Sequence, residues 1–208
     1  MNNARVDEGM PQHESDPRTE VLANDPREED VVQSGRRTLV VTNDLPPKPG
    51  GIQTFVHEIV RRLPSADVVV LGPRQSGSED FDTNAGYEIH RHDGPIVPSP
   101  GVARRVAEIM AVTGCDQVML GSGMPNSLLI PLLKRRGIRT SLVITHGNEA
   151  GWAQLPAGRM LVRPLNQASA VTYLGDFTYR ILSRYIKPEL LHRVSPGVDT
   201  DQIGRAHV

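Results

Sequence analysis

From Arg37 onward, short apolar runs rich in β-branched residues alternate with stretches of helical periodicity, and this alternation most constrains the fold. The expected strands cover 38–42, 67–71, 88–90, 117–120, 140–145, 170–173 and 191–194. The expected helices cover 52–63, 101–112, 126–136, 158–167 and 176–185. Strands that alternate with helices pair in parallel, because each parallel pair needs a long crossover that covers a face of the sheet. The fold class is therefore α/β, a Rossmann-like parallel sheet with helices on both faces. Right-handed crossovers bring the loops that follow the strands to one edge, where such sheets bind ligands.

The first strand leads into the stretch TNDLPPKPGGIQTFVHEIVRRL, residues 42–63. Turn residues Asn43, Asp44, Pro46, Pro47 and Pro49 precede the paired glycines Gly50 and Gly51. Then Ile52, Phe55, Val56, Ile59, Val60 and Leu63 recur at the spacing of one helix face, which predicts that this face is buried. Gly50 and Gly51 lack Cβ atoms, and the first NH groups of the helix have no intrahelical partner, a combination that favours phosphate. The same glycines could simply close a strand-helix turn. The pattern is neither a dinucleotide fingerprint nor a P-loop, since no Gly-Lys-Ser/Thr follows.

A net charge of -1 over 208 residues gives no bulk attraction for nucleic acid, so partners have to be argued from sites. The single cysteine, Cys115, excludes an internal disulfide framework and suits a reducing compartment. No run approaches the roughly 20 apolar residues of a membrane span. Residues 1–36 are polar and read as a disordered leader, with a misassigned start codon as the competing explanation. The turn-rich stretch 74–85 reads as a mobile surface loop. His90-Arg91-His92-Asp93 is a weak metal-ligand set and reads as a solvated strand end; no metal site is expected.

After the strand SLVIT come His146, Gly147, Asn148 and Glu149, then Trp152. A histidine just past an apolar strand lies at the carboxyl edge of the sheet, the edge expected for Gly50 and Gly51, so two signals converge on one cleft. Glu149 either orients the imidazole or caps the following segment. Trp152 either packs in the core or forms a flat wall for a ring-shaped ligand.

The glycine loop, then THGNEAGW, TYLGDFT and PGVD, in this order, resembles the amino-terminal half of a retaining GT-B glycosyltransferase of family four. It is most similar to actinobacterial mannosyltransferases that act on phosphatidylinositol mannosides. The resemblance runs from about Arg37 to Asp199. It implies a two-domain hexosyltransferase that uses GDP-mannose or another nucleotide sugar, with no metal or other cofactor. Gly50 and Gly51 would contact the donor diphosphate, and His146 would touch the donor sugar in the catalytic role. Asp44, Gln53 and Thr54 would contact a lipid-linked or polyol acceptor. Peripheral membrane contact at the inner face of the plasma membrane would involve Arg104, Arg105 and Met110, or Lys134, Arg135 and Arg136.

The family's second domain supplies most nucleotide contacts, and none of its motifs is present. The expected organisation is a leader over 1–36, an acceptor-side Rossmann-like domain over 37–195, the start of an interdomain linker over 196–201, and a non-native tail over 202–208. That tail, QIGRAHV, is also the translation of a common sequencing-adapter read. A truncated gene fragment, inactive by itself and located in the cytoplasm, is the expectation; a genuine short protein, such as a stand-alone phosphate-binding module, is the alternative.

Overall fold

The computed structural model describes residues 36–155 and 158–194. The expected leader, except Arg36, and the expected linker start and tail lie outside the described residues. Seven strands are described: β1 (Thr38–Val41), β2 (Val68–Pro73), β3 (Glu88–His92), β4 (Gln117–Leu120), β5 (Thr140–Val143), β6 (Ala170–Tyr173) and β7 (Leu191–Arg193). They form one sheet in the order β3-β2-β1-β4-β5-β6-β7, and every pair is parallel. The helices are α1 (Gly51–Val60), α2 (Ser78–Asn84), α3 (Pro100–Thr113), α4 (Leu129–Lys134), α5 (Asn148–Gln154), α6 (Gly158–Val162) and α7 (Asp176–Leu182). The Rossmann-like parallel sheet expected from the alternation is thus the observed fold.

Central strands read as unbroken apolar runs because both faces of the sheet are covered. Alternate residues of β1 go to opposite sides: Leu39 and Val41 belong to the core cluster that also contains residues of α3, α4, α5, α6 and α7, whereas Val40 belongs to the one that contains Val56 and Val60 of α1. Each of these side chains is fully buried, which stabilises the fold by about 1.5–3 kcal/mol per residue relative to exposure. Helix α3 is bounded as its sequence dictates. Ser99 accepts a hydrogen bond from the Val102 NH at its start, Pro100 occupies the first turn, and Gly114 ends it at φ 73°.

β1 pairs with β2 on one side and with β4 on the other. The chain therefore leaves β1 and β4 in opposite directions. The loops after these two strands diverge and leave a crevice at the carboxyl edge.

Several expectations need correction. Residues 78–84 form α2 instead of a mobile loop, held by Arg91, whose guanidinium pairs with Asp82 at 2.5 Å and also donates to the Pro73 carbonyl. That side chain is only 4% exposed, so 90–93 is not simply a solvated strand end. Leu63 lies beyond the end of α1 and is exposed, so it does not complete the buried face. Pro131 and Pro164 lack the NH that a continuous helix needs. A 3-10 turn precedes α4 at Asn126–Leu128, and another follows α6 at Arg163–Gln167. Met110 is buried in the core and unavailable to a membrane. No described helix is long and apolar enough to cross one.

Candidate functional site

Gly50 is the N-cap residue of α1 and has φ 155° and ψ 156°, a region that side chains exclude. A Cβ there would lie 2.2 Å from Gln53 Oε1. Gly51 begins the helix, is exposed, and has nothing within 4 Å of where a Cβ would stand. No side chain caps this helix end, and its first turn holds no carboxylate. The Gly50 carbonyl accepts from both the Thr54 NH and the Thr54 hydroxyl at 3.0 Å, which fixes the first turn. The unpaired amides at the start of α1 and its dipole together make a surface suited to an anion.

Asp44 and Gln53 are brought together: the buried Gln53 amide donates to Asp44 Oδ1 at 2.9 Å. Asp44 is also held through its backbone NH, which donates to the buried Thr42 hydroxyl at 2.9 Å. Thr54 is exposed on the next residue of the helix.

His146 lies at the same edge. Its ring meets the Phe55 ring of α1 edge-on, with centroids 5.8 Å apart. The glycine-led helix and the imidazole are therefore in contact at this edge. Nε2 stands 2.7 Å from the Gly121 carbonyl, which can only accept, so Nε2 carries the proton and donates. Gly147 follows at φ 93° and turns the chain into α5, a helix without a counterpart among the expected elements.

The Glu149 carboxylate, 2% exposed, does not reach the imidazole. It accepts instead from the backbone NH of His146 at 3.0 Å and of Gly123 at 3.1 Å. Trp152 is not core; it is 48% exposed beside a hollow of about 460 Å³ lined also by Gly147, Leu155 and Phe177. Among the described residues no cluster of three His, Cys, Asp or Glu side chains is arranged to hold a metal.

Sequence reasoning missed Phe55, Gly121 and Gly123 as parts of this site. The two glycines sit in Gly121-Ser122-Gly123, directly after the apolar run of β4, a signal of close backbone approach at a strand end. On the opposite flank of α1, His57 Nδ1 meets the Tyr87 hydroxyl at 2.9 Å. Burial pushes the His57 imidazole below its ordinary value and the Tyr87 phenol up to about 12.

The profile of Glycosyltransferase Family 4 matches residues 49–202. The chain is 36% identical over 171 residues to the GDP-mannose-dependent alpha-(1-6)-phosphatidylinositol monomannoside mannosyltransferase of Mycolicibacterium smegmatis, covering 79% of this chain and 45% of that protein. It is 32% identical over 153 residues to the GDP-mannose-dependent monoacylated alpha-(1-6)-phosphatidylinositol monomannoside mannosyltransferase of Corynebacterium glutamicum, covering 72% and 40%. The crystal structure of Anabaena Alr3699/HepE in complex with UDP and glucose superposes with a TM-score of 0.62 at 15% identity, over 80% of this chain and 46% of that one. The chain thus spans about half the length of the curated relatives it matches. With a family profile that covers most of the sequence and a Rossmann-like fold around it, this chain belongs to glycosyltransferase family 4.

Proposed function

We propose that this domain is the acceptor-side half of a retaining mannosyltransferase that moves mannose from GDP-mannose to a phosphatidylinositol mannoside-type lipid. The observation that carries the reading is the meeting of α1 and His146 through Phe55 at the crevice between the loops after β1 and β4. In this reading the open amides at Gly50 and Gly51 receive the donor diphosphate. Departure of that diphosphate develops negative charge on phosphate oxygen, which unpaired amides and a helix dipole stabilise without a metal. His146, whose Nε2 is committed to Gly121, offers Nδ1 as an acceptor toward a sugar hydroxyl. Asp44 and Thr54 meet the acceptor, and Gln53 serves it by holding Asp44.

The lipid acceptor places the enzyme at the inner face of the plasma membrane as a peripheral protein. Lys134, Arg135 and Arg136 are the stronger contact candidates, being exposed and without an ion pair among the described residues. Arg104 and Arg105 share Glu108 at 3.7 Å. In this reading a further domain supplies the second wall of the cleft, and the curated relatives are long enough to hold one.

Titration of the 208-residue chain with GDP-mannose, followed by backbone amide NMR, tests the donor site: shifts concentrated at Gly50, Gly51 and His146 are expected. Transfer to a phosphatidylinositol monomannoside should require a protein extended past Asp199 by a relative's carboxy-terminal half. There, His146→Ala should lower turnover by about a hundredfold with little change in thermal stability. Robust transfer by the short chain would overturn the half-site reading, and equal loss of turnover and stability would return His146 to a structural role.

A further inference from the structure

We propose that Glu149 is the positioning residue for His146, setting the imidazole by tying the loop after β5 to the loop after β4. This inference rests on the reading of His146 given above. Two connections run between the same two loops. The imidazole donates to the Gly121 carbonyl at 2.7 Å, and the Glu149 carboxylate takes the Gly123 NH at 3.1 Å with one oxygen and the His146 NH at 3.0 Å with the other. The result is a closed ring of hydrogen bonds through Gly121, His146, Glu149 and Gly123. The ring position is thereby defined from both ends of the histidine, its side chain and its backbone.

Only a side chain with two acceptor oxygens at that reach closes the ring. A Gln offers one acceptor and would aim its NH2 at one of the two amide donors. The fit around the carboxylate is tight, since a Cβ on Gly123 would stand 2.8 Å from Glu149 Oε1 and 2.9 Å from its Cγ. Gly123 is thus matched to this side chain as well as to its charge. A helix cap alone does not account for the arrangement. The bond to the His146 NH is local, three residues back, but the bond to Gly123 spans 26 residues and adds nothing to α5. Nor does any cation pair with Glu149 among the described residues, so two amides compensate a carboxylate that is 2% exposed. Burying a charge in that way is costly unless its hydrogen bonds are well made. At 2% exposure the carboxylate is out of reach of a ligand, so it acts through His146.

The test is NMR of the His146 ring in the 208-residue chain, comparing the unsubstituted protein with Glu149→Gln and Glu149→Asp. The unsubstituted ring should show the Nε2-protonated neutral tautomer with a slowly exchanging Nε2 proton. In Glu149→Gln the exchange should quicken by about tenfold, the equivalent of one hydrogen bond, and the tautomers should mix. Glu149→Asp keeps the charge but withdraws it by one methylene, and it should show the same ring signature with the fold retained. A ring signature unchanged in both variants while stability falls would overturn the proposal and leave Glu149 as a helix cap. Failure of both variants to fold would overturn it as well. GDP-mannose titration of the same samples separates the two readings: absence of donor-induced shifts at Gly50 and Gly51 counts against the donor site, while the ring signature stands or falls independently.

Discussion

Gly121 stands so close to Thr42 that a Cβ on Gly121 would lie 2.6 Å from the threonine Cβ and 2.7 Å from its hydroxyl oxygen. These residues follow β4 and β1, and their contact sets how far the two loops stand apart at the crevice. Gly121→Ala should therefore push them apart and destabilise the fold by about 1–3 kcal/mol, as overpacking of a tight site does. It should also disturb the His146 ring, which is bonded to the Gly121 carbonyl. Denaturant unfolding and ring NMR on one sample check both effects. Unchanged stability would show that the loops are free to move.

The paired glycines should separate cleanly on substitution. Gly50→Ala meets Gln53 Oε1 at 2.2 Å and a backbone angle unsuited to a side chain, so it should cost about 1–3 kcal/mol. Gly51→Val points into open space, so stability should change by less than about 1 kcal/mol while donor-induced shifts disappear. Thermal unfolding and GDP-mannose titration distinguish these outcomes. Donor binding that survives Gly51→Val would move the diphosphate elsewhere.

Much of the fold was legible because its strands are buried on both faces and its helices have one apolar side; these patterns need no knowledge of neighbours. The glycine-led start of α1 and the place of His146 at the carboxyl edge followed from the same periodicities. What was not legible depends on partners distant in sequence. α2 is polar and turn-rich, and its helix is held by an ion pair to Arg91 on β3. Glu149 read as either a local orienter of the imidazole or a cap of the following segment, yet its long-range partner is the Gly123 amide, whose position only the sheet order fixes. Gln53 entered only as an acceptor contact implied by the resemblance, and its burial, with the amide donating to Asp44, depends on how α1 packs against the loop.

The clamp over that loop gives a third expectation. Arg91 joins α2 through Asp82, the end of β2 through the Pro73 carbonyl at 2.8 Å, and the proline loop through the Pro46 carbonyl at 3.4 Å. Removing the cation alone leaves a carboxylate and two carbonyls without it, so Arg91→Met should destabilise by about 3 kcal/mol. Hydrogen exchange should quicken in α2 and across 43–50 well before it does in β4. Uniform quickening throughout the sheet would argue against a local clamp.

His57 supplies a pH dependence. Because its folded pKa lies below the ordinary 6.5, chiefly through burial, with Glu58 raising it and Arg61 lowering it, the unfolded chain binds the proton more readily. Stability from the neutral, buried ring is therefore full above about pH 6.5 and is lost as the pH falls below that value toward the lower folded pKa. His57→Gln should flatten this part of the stability curve. A slope of the same size in the variant would assign the effect to other groups.

Thr38 of β1 and Gln117 of β4 pair across a separation of 79 residues. During synthesis at about 5–20 residues per second, β1 emerges about 4–16 seconds before the strand that will flank it on that side. β2 arrives sooner, so the nascent chain passes through a stage in which β1 is paired on one edge and bare on the other. Throughout that interval the glycine loop exists as a tether without an opposite wall, and the row of unpaired backbone groups along β1 is open to any other extended chain. The crevice thus cannot form before β4 has emerged, and a chain stalled before Gln117 carries a sticky strand where a finished one carries its candidate site.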